Sequence, residues 1–279
     1  MAKMINPDIF RPINVPDRIR PYVRRVLVSD VGQAIDMNVD VYATGYHYLG
    51  WIWRGRWLGE VNGVTAFDSD TDGPFAFTGQ IGKNVVTARM QRDIGQAFFE
   101  FTALGHFQLL GIVGHRTALV PHVLNPSLEP HFERLSAATD LTPVTCIELM
   151  ADVLSALPKY PVPNKIVAAI ERIEAADGNI RIAELVDGLG LAGRQFRTDF
   201  ERFIGLTPKT FCKTLQINSA LNQLLINNGR DLAGIAAQLG FSDQSHFTRA
   251  FRDFLGEAPA TYLENVEVTL ARFLGHSRR

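Results

Sequence analysis

Two short stretches of this 279-residue chain carry side chains suited to the edges of nucleic-acid bases. One holds Arg194, Arg197 and Thr198; the other holds Gln244, Ser245 and Arg249. On a helix, Phe196, Phe200 and Phe203 fall on one face at spacing i, i+4, i+7. Arg194, Thr198 and Glu201 lie opposite, with Arg197 on the flank. In the second stretch Phe247, Phe251 and Phe254 form the apolar stripe. Ser245, Arg249 and Arg252 face away from it, with Gln244 and Thr248 at the sides. Arg suits guanine and Gln suits adenine, each through two hydrogen bonds in the major groove. A solvated polar face accounts for either stretch alone. It gives no reason for the pattern to recur in register.

Other chemistry is poorly provided for. There is no Gly-x-Ser-x-Gly nucleophile turn and no phosphate-binding Gly-x-x-x-x-Gly-Lys. The two cysteines, Cys146 and Cys212, have no metal or redox spacing and read as buried or inert thiols of a reducing compartment. One further stretch stands out: Trp51-Ile52-Trp53-Arg54-Gly55-Arg56-Trp57. In a strand Trp51 and Trp53 share a face and Arg54 takes the other. The indoles can wall a pocket for an apolar effector, or pack a core or a protein interface; Arg54 can meet an acidic effector if its own face is internal.

The elements that must hold these residues are legible. Ile182–Gly190 and Leu232–Gly240 are two versions of one pattern, each continuing into a Phe stripe, a glycine (Gly205, Gly256) and a proline (Pro208, Pro259). The second copy has one extra residue after its turn glycine. Each copy reads as helix, glycine turn, helix, and two copies about fifty residues apart suit successive major grooves. Thr210 to Asn227 contains neither Pro nor Gly and keeps Ile217, Leu221 and Leu224 at helical spacing, with Asn228-Gly229 as its stop. Eighteen residues make a rod of roughly 27 Å, against about 34 Å between major-groove faces one turn apart. Earlier in the chain, roughly Ala34 to Val123 changes to short Val-, Tyr-, Phe- and Trp-rich runs broken by glycines, which reads as a barrel or sandwich. Val144 to Leu157 returns to helix, with Ile147, Met150 and Leu154 on one side and Leu149 and Val153 on another. A helix apolar on two sides either serves a partner as well as its own domain or is wholly buried. Pro158, Pro161 and Pro163 then make a semi-rigid linker.

The stretch from about Lys165 to Leu263 resembles the DNA-binding domain of the AraC/XylS family of transcription regulators. The strongest match is Ile235-Ala236-Ala237-Gln238-Leu239-Gly240-Phe241-Ser242-Asp243-Gln244-Ser245-His246-Phe247-Thr248-Arg249-Ala250-Phe251, closing with Gly256 and Pro259. The resemblance implies that both recognition helices enter the major groove, through Arg194, Arg197 and Thr198 and through Gln244, Ser245 and Arg249. The first copy departs from the pattern: Ala192 stands where a serine usually caps the helix, whereas Ser242 keeps that place in the second. A missing cap costs about 1 kcal/mol. Upstream, Arg20-Pro21-Tyr22-Val23, Phe77-Thr78-Gly79-Gln80 and Phe101–Gly111 are similar to the cupin-like sensor domain of one subgroup. Enzymatic cupins hold a metal with a His-x-His pair. Here His47 has no such neighbour, and His106, His115, His122 and His131 form no close pair.

Charge adds nothing to the DNA reading: the balance is +1 from Asn164 onward and −2 before it, so specific geometry must supply much of the affinity. The expectation is an α+β protein of two domains. Residues 1–157 form a cupin-like β-barrel with helices that senses and dimerises, 158–164 a linker, and 165–266 an all-α domain. That domain holds helix-turn-helix units at about 182–203 and 232–254 joined by a linker helix, before a tail at 267–279. It implies a cytoplasmic transcription regulator, an activator by resemblance, with no enzyme activity, cofactor or metal. Its expected partners are double-stranded DNA, a small-molecule effector, RNA polymerase and a second copy of the chain. There is no run of apolar residues long enough to span a membrane and no signal-peptide core. Trp51, Trp53 and Arg54 are the candidate effector contacts; Ile147, Met150 and Leu154 are the candidate dimer contacts. The alternatives are a barrel enzyme with a helical interaction module, and a regulator controlled without a small effector.

Overall fold

The computed structural model describes residues 11–81, 86–114, 118–226 and 231–265. The Asn228-Gly229 stop, His115 and the tail 267–279 lie outside them. Contacts divide the chain into two compact units, one running to Val162 and counting Glu201–Leu206 with it, the other built from Pro163–Phe200 and from Thr207 onward.

The first unit is an antiparallel sheet with helices. Its strands are β1 (Arg11–Ile13), β2 (Val23–Val41), β3 (Tyr48–Val61), β4 (Val64–Asp68), β5 (Phe75–Thr78) and β6 (Val86–Phe101), with β7 (Ala118–Leu119) later in the chain. They are ordered β1-β2-β6-β3-β5-β7, with β4 on β3, and among the described residues no pairing joins β1 to β7. Every second residue of the central strands points to one face: Val26 and Val28, Leu49 and Trp51, Phe75 and Phe77, and Ala97, Phe99 and Phe101 enter a single core. Helices α1 (Gly105–Leu110), α2 (Pro121–Leu124), α3 (Glu129–Ser136) and α4 (Pro143–Ala156) follow. Helix α4 starts at a capping box, in which the Thr145 N–H donates to Thr142 Oγ1 at 3.2 Å and the Thr142 N–H to Thr145 Oγ1 at 2.7 Å. At its end Lys159 Nζ donates to the carbonyls of Leu154, Ser155 and Leu157, groups that the helix itself leaves without partners.

Helix α4 corrects one expectation. Ile147, Met150 and Leu154 are buried in the core of their own unit, together with Cys146, Ala151 and Leu157. They hold the helix to the sheet and no partner can reach them. The exposed side carries Val144, Glu148, Leu149 and Asp152, and Arg18 Nη2 pins it at 2.7 Å from Glu148 and 2.9 Å from Asp152.

The second unit is helical: α5 (Asn164–Ala175), α6 (Ile182–Gly188), α7 (Gly193–Ile204), α8 (Pro208–Ile226), α9 (Leu232–Gln238), α10 (Gln244–Leu255) and α11 (Pro259–Asn265). Ile166, Ala169, Ile170 and Ile173 give α5 its buried stripe. Helix α8 buries Phe211, Leu215, Ile217, Leu221 and Leu224 along its 19 residues; at 1.5 Å per residue it spans roughly 28 Å.

Candidate nucleic-acid interface

The turns of the two helix-turn-helix units are built alike down to single hydrogen bonds. In the first turn the Gly190 N–H donates to Asp187 O at 3.0 Å and the Leu191 N–H to Val186 O at 3.0 Å. In the second the Gly240 N–H donates to Ala237 O at 3.1 Å and the Phe241 N–H to Ala236 O at 2.9 Å. This is the Schellman arrangement, in which a residue in the left-handed region ends a helix and returns its last carbonyls to donors. Gly190 has φ 59° and Gly240 φ 77°, values that cost a side chain strain and glycine almost none. The turn aims the next helix, whose phenylalanines then fill the unit. Phe196 and Phe200 pack tilted at 5.5 Å and Phe200 meets Phe211 of α8 at 5.7 Å. In the second copy Phe241, Phe247, Phe251 and Tyr262 form a chain of rings 5.2 to 5.7 Å apart.

With the Phe stripe inward, Arg194, Arg197 and Thr198 on α7 and Gln244, Ser245 and Arg249 on α10 are all exposed. Among the described residues Arg194 and Arg249 have no carboxylate partner, so their donors face solvent. These side chains stand in the first two turns of each helix, the end that meets base edges when such a helix enters a groove.

The caps differ, and not quite as the sequence suggests. Ala192 precedes α7, where its carbonyl accepts from the Phe196 N–H at 2.9 Å, and its methyl offers no cap. The counterpart in the second copy is Asp243 rather than Ser242. Asp243 Oδ1 accepts from the His246 N–H at 2.7 Å. Ser242 Oγ supports it, 3.2 Å from Asp243 Oδ2 and 3.2 Å from His246 Nδ1. The His246 N–H, with Ser242, holds the Asp243 carboxyl below its usual range. The cue was present in the sequence: an Asp directly before the first helical residue is as good a cap as Ser.

The candidate effector residues have other employment. Trp51 is 1% exposed and lies in the core, 5.5 Å from Phe75 and edge-on to Trp53 at 6.4 Å. Trp53 is half-buried and lies on Gly95, where a Cβ would stand 2.3 Å from the indole nitrogen. Arg54 is paired with Asp30 and, at 3.0 Å through Nε, with Asp93. Its charge is therefore met by two partly exposed carboxylates of the same chain. An open cavity of about 930 Å³ lies in the helical unit, with Ile182, Val186, Phe196, Arg197, Pro208 and Lys209 in its wall.

Sequence reading passed over a buried polar cluster on the other face of the sheet. Glu100 is fully buried and accepts from Arg24 Nη1 at 2.7 Å and from Arg25 Nε. Neighbouring residues of a strand ordinarily point to opposite faces. Here the register shifts between Val23, which pairs with Phe101, and Arg25, which pairs with Glu100. Arg24 is the extra residue of that bulge, so both guanidiniums meet one carboxylate. Arg24 also lies 3.7 Å over the Tyr46 ring. The Tyr48 hydroxyl donates to Thr44 Oγ1 at 3.1 Å; burial first, and then Glu100, push it up to about 12. The signal available was an acid set among phenylalanines in Phe98-Phe99-Glu100-Phe101.

The structure also brings together two histidines that the sequence left apart. His47 and His106 are fully buried and stacked, with ring centroids 3.5 Å apart and planes 20° from parallel. Parallel stacked rings direct their in-plane lone pairs side by side, whereas ligands of one metal must converge. Among the described residues no group of three or more His, Cys, Asp or Glu is placed to hold a metal ion, and no helix is long and apolar enough to cross a membrane.

Comparison with known proteins agrees with this geometry. Residues 185–265 match the family model described as a helix-turn-helix domain. The chain is 35% identical over 83 residues to the probable transcriptional regulator LumQ of Photobacterium leiognathi, covering 30% of this chain and 33% of that protein. It is 30% identical over 86 residues to the uncharacterized HTH-type transcriptional regulator YidL of Escherichia coli K12, covering 31% and 29%. The matched stretch thus spans about a third of the length of these relatives. Among solved structures, ToxT from Vibrio cholerae is similar at a TM-score of 0.46 and 12% identity, over 85% of this chain and 99% of that one.

Proposed function

We infer that this chain, whose residues 185–265 match a helix-turn-helix domain, is a sequence-specific DNA-binding transcription regulator of the AraC type. The observation that carries the reading is the paired recognition helix. Two helices in tandem expose Arg194, Arg197 and Thr198, and Gln244, Ser245 and Arg249, opposite buried phenylalanines and after bond-for-bond equivalent turns. Bases are read by such side chains in the major groove, and the duplex repeats that groove once per turn. The N-terminal unit serves as the sensing part, and a small effector that prefers one arrangement of the protein shifts which DNA sites it holds. RNA polymerase is the expected downstream partner, and the working place is the cytoplasm.

Arg249→Ala tests the assignment. If Arg249 reads a guanine, the variant loses roughly 1–3 kcal/mol of discrimination at that base pair, about 5- to 150-fold in relative affinity. The measurement is a titration of the full chain against a duplex selected from a random pool and against single-base variants of it. Unchanged affinity and unchanged base preference in both Arg249→Ala and Arg194→Ala would remove these residues from the interface.

Two copies of the chain act together in this reading, and the contact moves to the exposed side of α4. Val144 and Leu149 are among the large apolar side chains left exposed, at 66% and 37%. Leu149→Glu is expected to shift the protein toward monomer at unchanged helix content, seen by sedimentation velocity across a concentration series. A wild type that stays monomeric throughout, or a variant that dimerises as well as the wild type, rejects this face.

A further inference from the structure

A helix that joins two DNA-reading motifs fixes the distance between them but not the angle, unless something else braces the pair. Three side chains in this structure converge on the second motif's turn, Leu239-Gly240-Phe241, which aims α10. The first comes from the turn that leads into the other motif. In the turn between α5 and α6, Gly178 lies flat on the backbone of α8, where a Cβ would stand 2.1 Å from Cys212 O. The next residue, Asn179, lies over Gly240 so closely that a Cβ there would stand 2.1 Å from Asn179 Oδ1. The other two come from α8. Gln216 Nε2 donates to Leu239 O at 3.1 Å, a carbonyl at the end of α9. Lys213 Nζ lies 4.1 Å over the Phe241 ring, and its burial lowers the ammonium's pKa. Lys213 and Gln216 are one helical turn apart and so share a face of α8.

We propose that Asn179, Lys213 and Gln216 are positioning residues that lock the second helix-turn-helix unit onto the first, so that the two recognition helices act as one rigid reading head. This deepens the regulator reading above and rests on it for its consequence on DNA. A rigid head demands two base-contact boxes at one spacing and one phase. Inserting a base pair between them turns the second box by about 34° and moves it out of reach of α10, since the duplex completes a turn in 10–10.5 base pairs. Two motifs hinged on a single helix would follow the displaced box and lose little.

Spin labels test the brace without DNA. Gln195 on α7 and Asp253 on α10 are exposed and lie outside the proposed base contacts. Cysteines placed there can be labelled in the full chain, because burial pushes the native Cys146 and Cys212 thiols up to about 12 and about 11 and keeps them unreactive. The expected result is one narrow distance distribution by electron double resonance, which Asn179→Ala combined with Gln216→Ala broadens at least about twofold with helix content unchanged. A broad distribution in the parent, or an equally narrow one in the double variant, overturns the proposal. The second arm uses a duplex selected by the wild-type chain and the same duplex with one base pair inserted between its boxes. The wild type is expected to lose about tenfold or more on insertion, the scale of a lost base contact, and the double variant less than about threefold. If the double variant weakens on both duplexes by the same factor, these residues support the fold alone and the proposal fails. If no duplex is selected at all, the regulator reading fails and the label distances still decide the brace.

Discussion

Glu100→Gln is expected to destabilise the N-terminal unit by about 3–5 kcal/mol, the cost of leaving buried charge uncompensated. The native arrangement sets one carboxylate against two guanidiniums: Glu100 and Arg25 are buried and Arg24 is partly so. The amide keeps the shape and the hydrogen-bonding oxygen but removes the negative charge. The three tryptophans all lie between residues 51 and 57, so urea unfolding followed by their fluorescence reports this unit, while far-ultraviolet circular dichroism is dominated by the helices. The fluorescence midpoint should fall and the helical signal should fall less. Replacing all three groups at once, as Arg24→Met with Arg25→Met and Glu100→Leu, should recover most of the loss, because an apolar trio carries no desolvated charge. A Glu100→Gln protein within about 1 kcal/mol of wild type would show that water reaches these groups and that the cluster is not a buried one.

Trp51→Ala is the second large effect, at about 3–5 kcal/mol, as for other buried aromatics cut to a methyl. Its ring is surrounded by Phe75, Trp53 and the rest of the core under α3 and α4. Tight packing leaves no room for the neighbours to close the hole, so both the transfer and the cavity contributions are paid. The expected outcome is a lowered unfolding midpoint by near-ultraviolet circular dichroism and loss of every N-terminal function together. Selective loss of effector response with stability and DNA binding intact would reinstate the indole as a pocket wall.

The C-terminal motifs were legible in the sequence because their information is local. A 3.6-residue period places Phe196 and Phe200, or Phe247 and Phe251, inward without reference to anything distant. A glycine at the left-handed position ends a helix by its own backbone. The exposure of Arg194, Gln244 and Arg249 follows from the same wheel. Even so, locating the cap at Asp243 rather than Ser242 required the actual first residue of α10.

Where the outcome depended on contacts between distant segments, periodicity offered two equal faces and no means to choose. For Ile147, Met150 and Leu154 the spacing fits a partner surface and a wholly buried helix alike, and the sheet beneath them makes it the second. For Trp51 and Trp53 the strand alternation fits a pocket wall, a core or an interface; the core closes over the first and Gly95 lies under the second. The bulge at Arg24 that brings two guanidiniums to one carboxylate joins residues 75 and 76 positions apart, and the stacking of His47 on His106 joins the residue before β3 to α1. The brace at Gly240 draws on Asn179, Lys213 and Gln216, which share no motif. Side-chain direction along one helix or strand is a property of the local backbone, written in residue spacing. Which direction is inward is decided by the surface another segment brings, and only the folded chain supplies it.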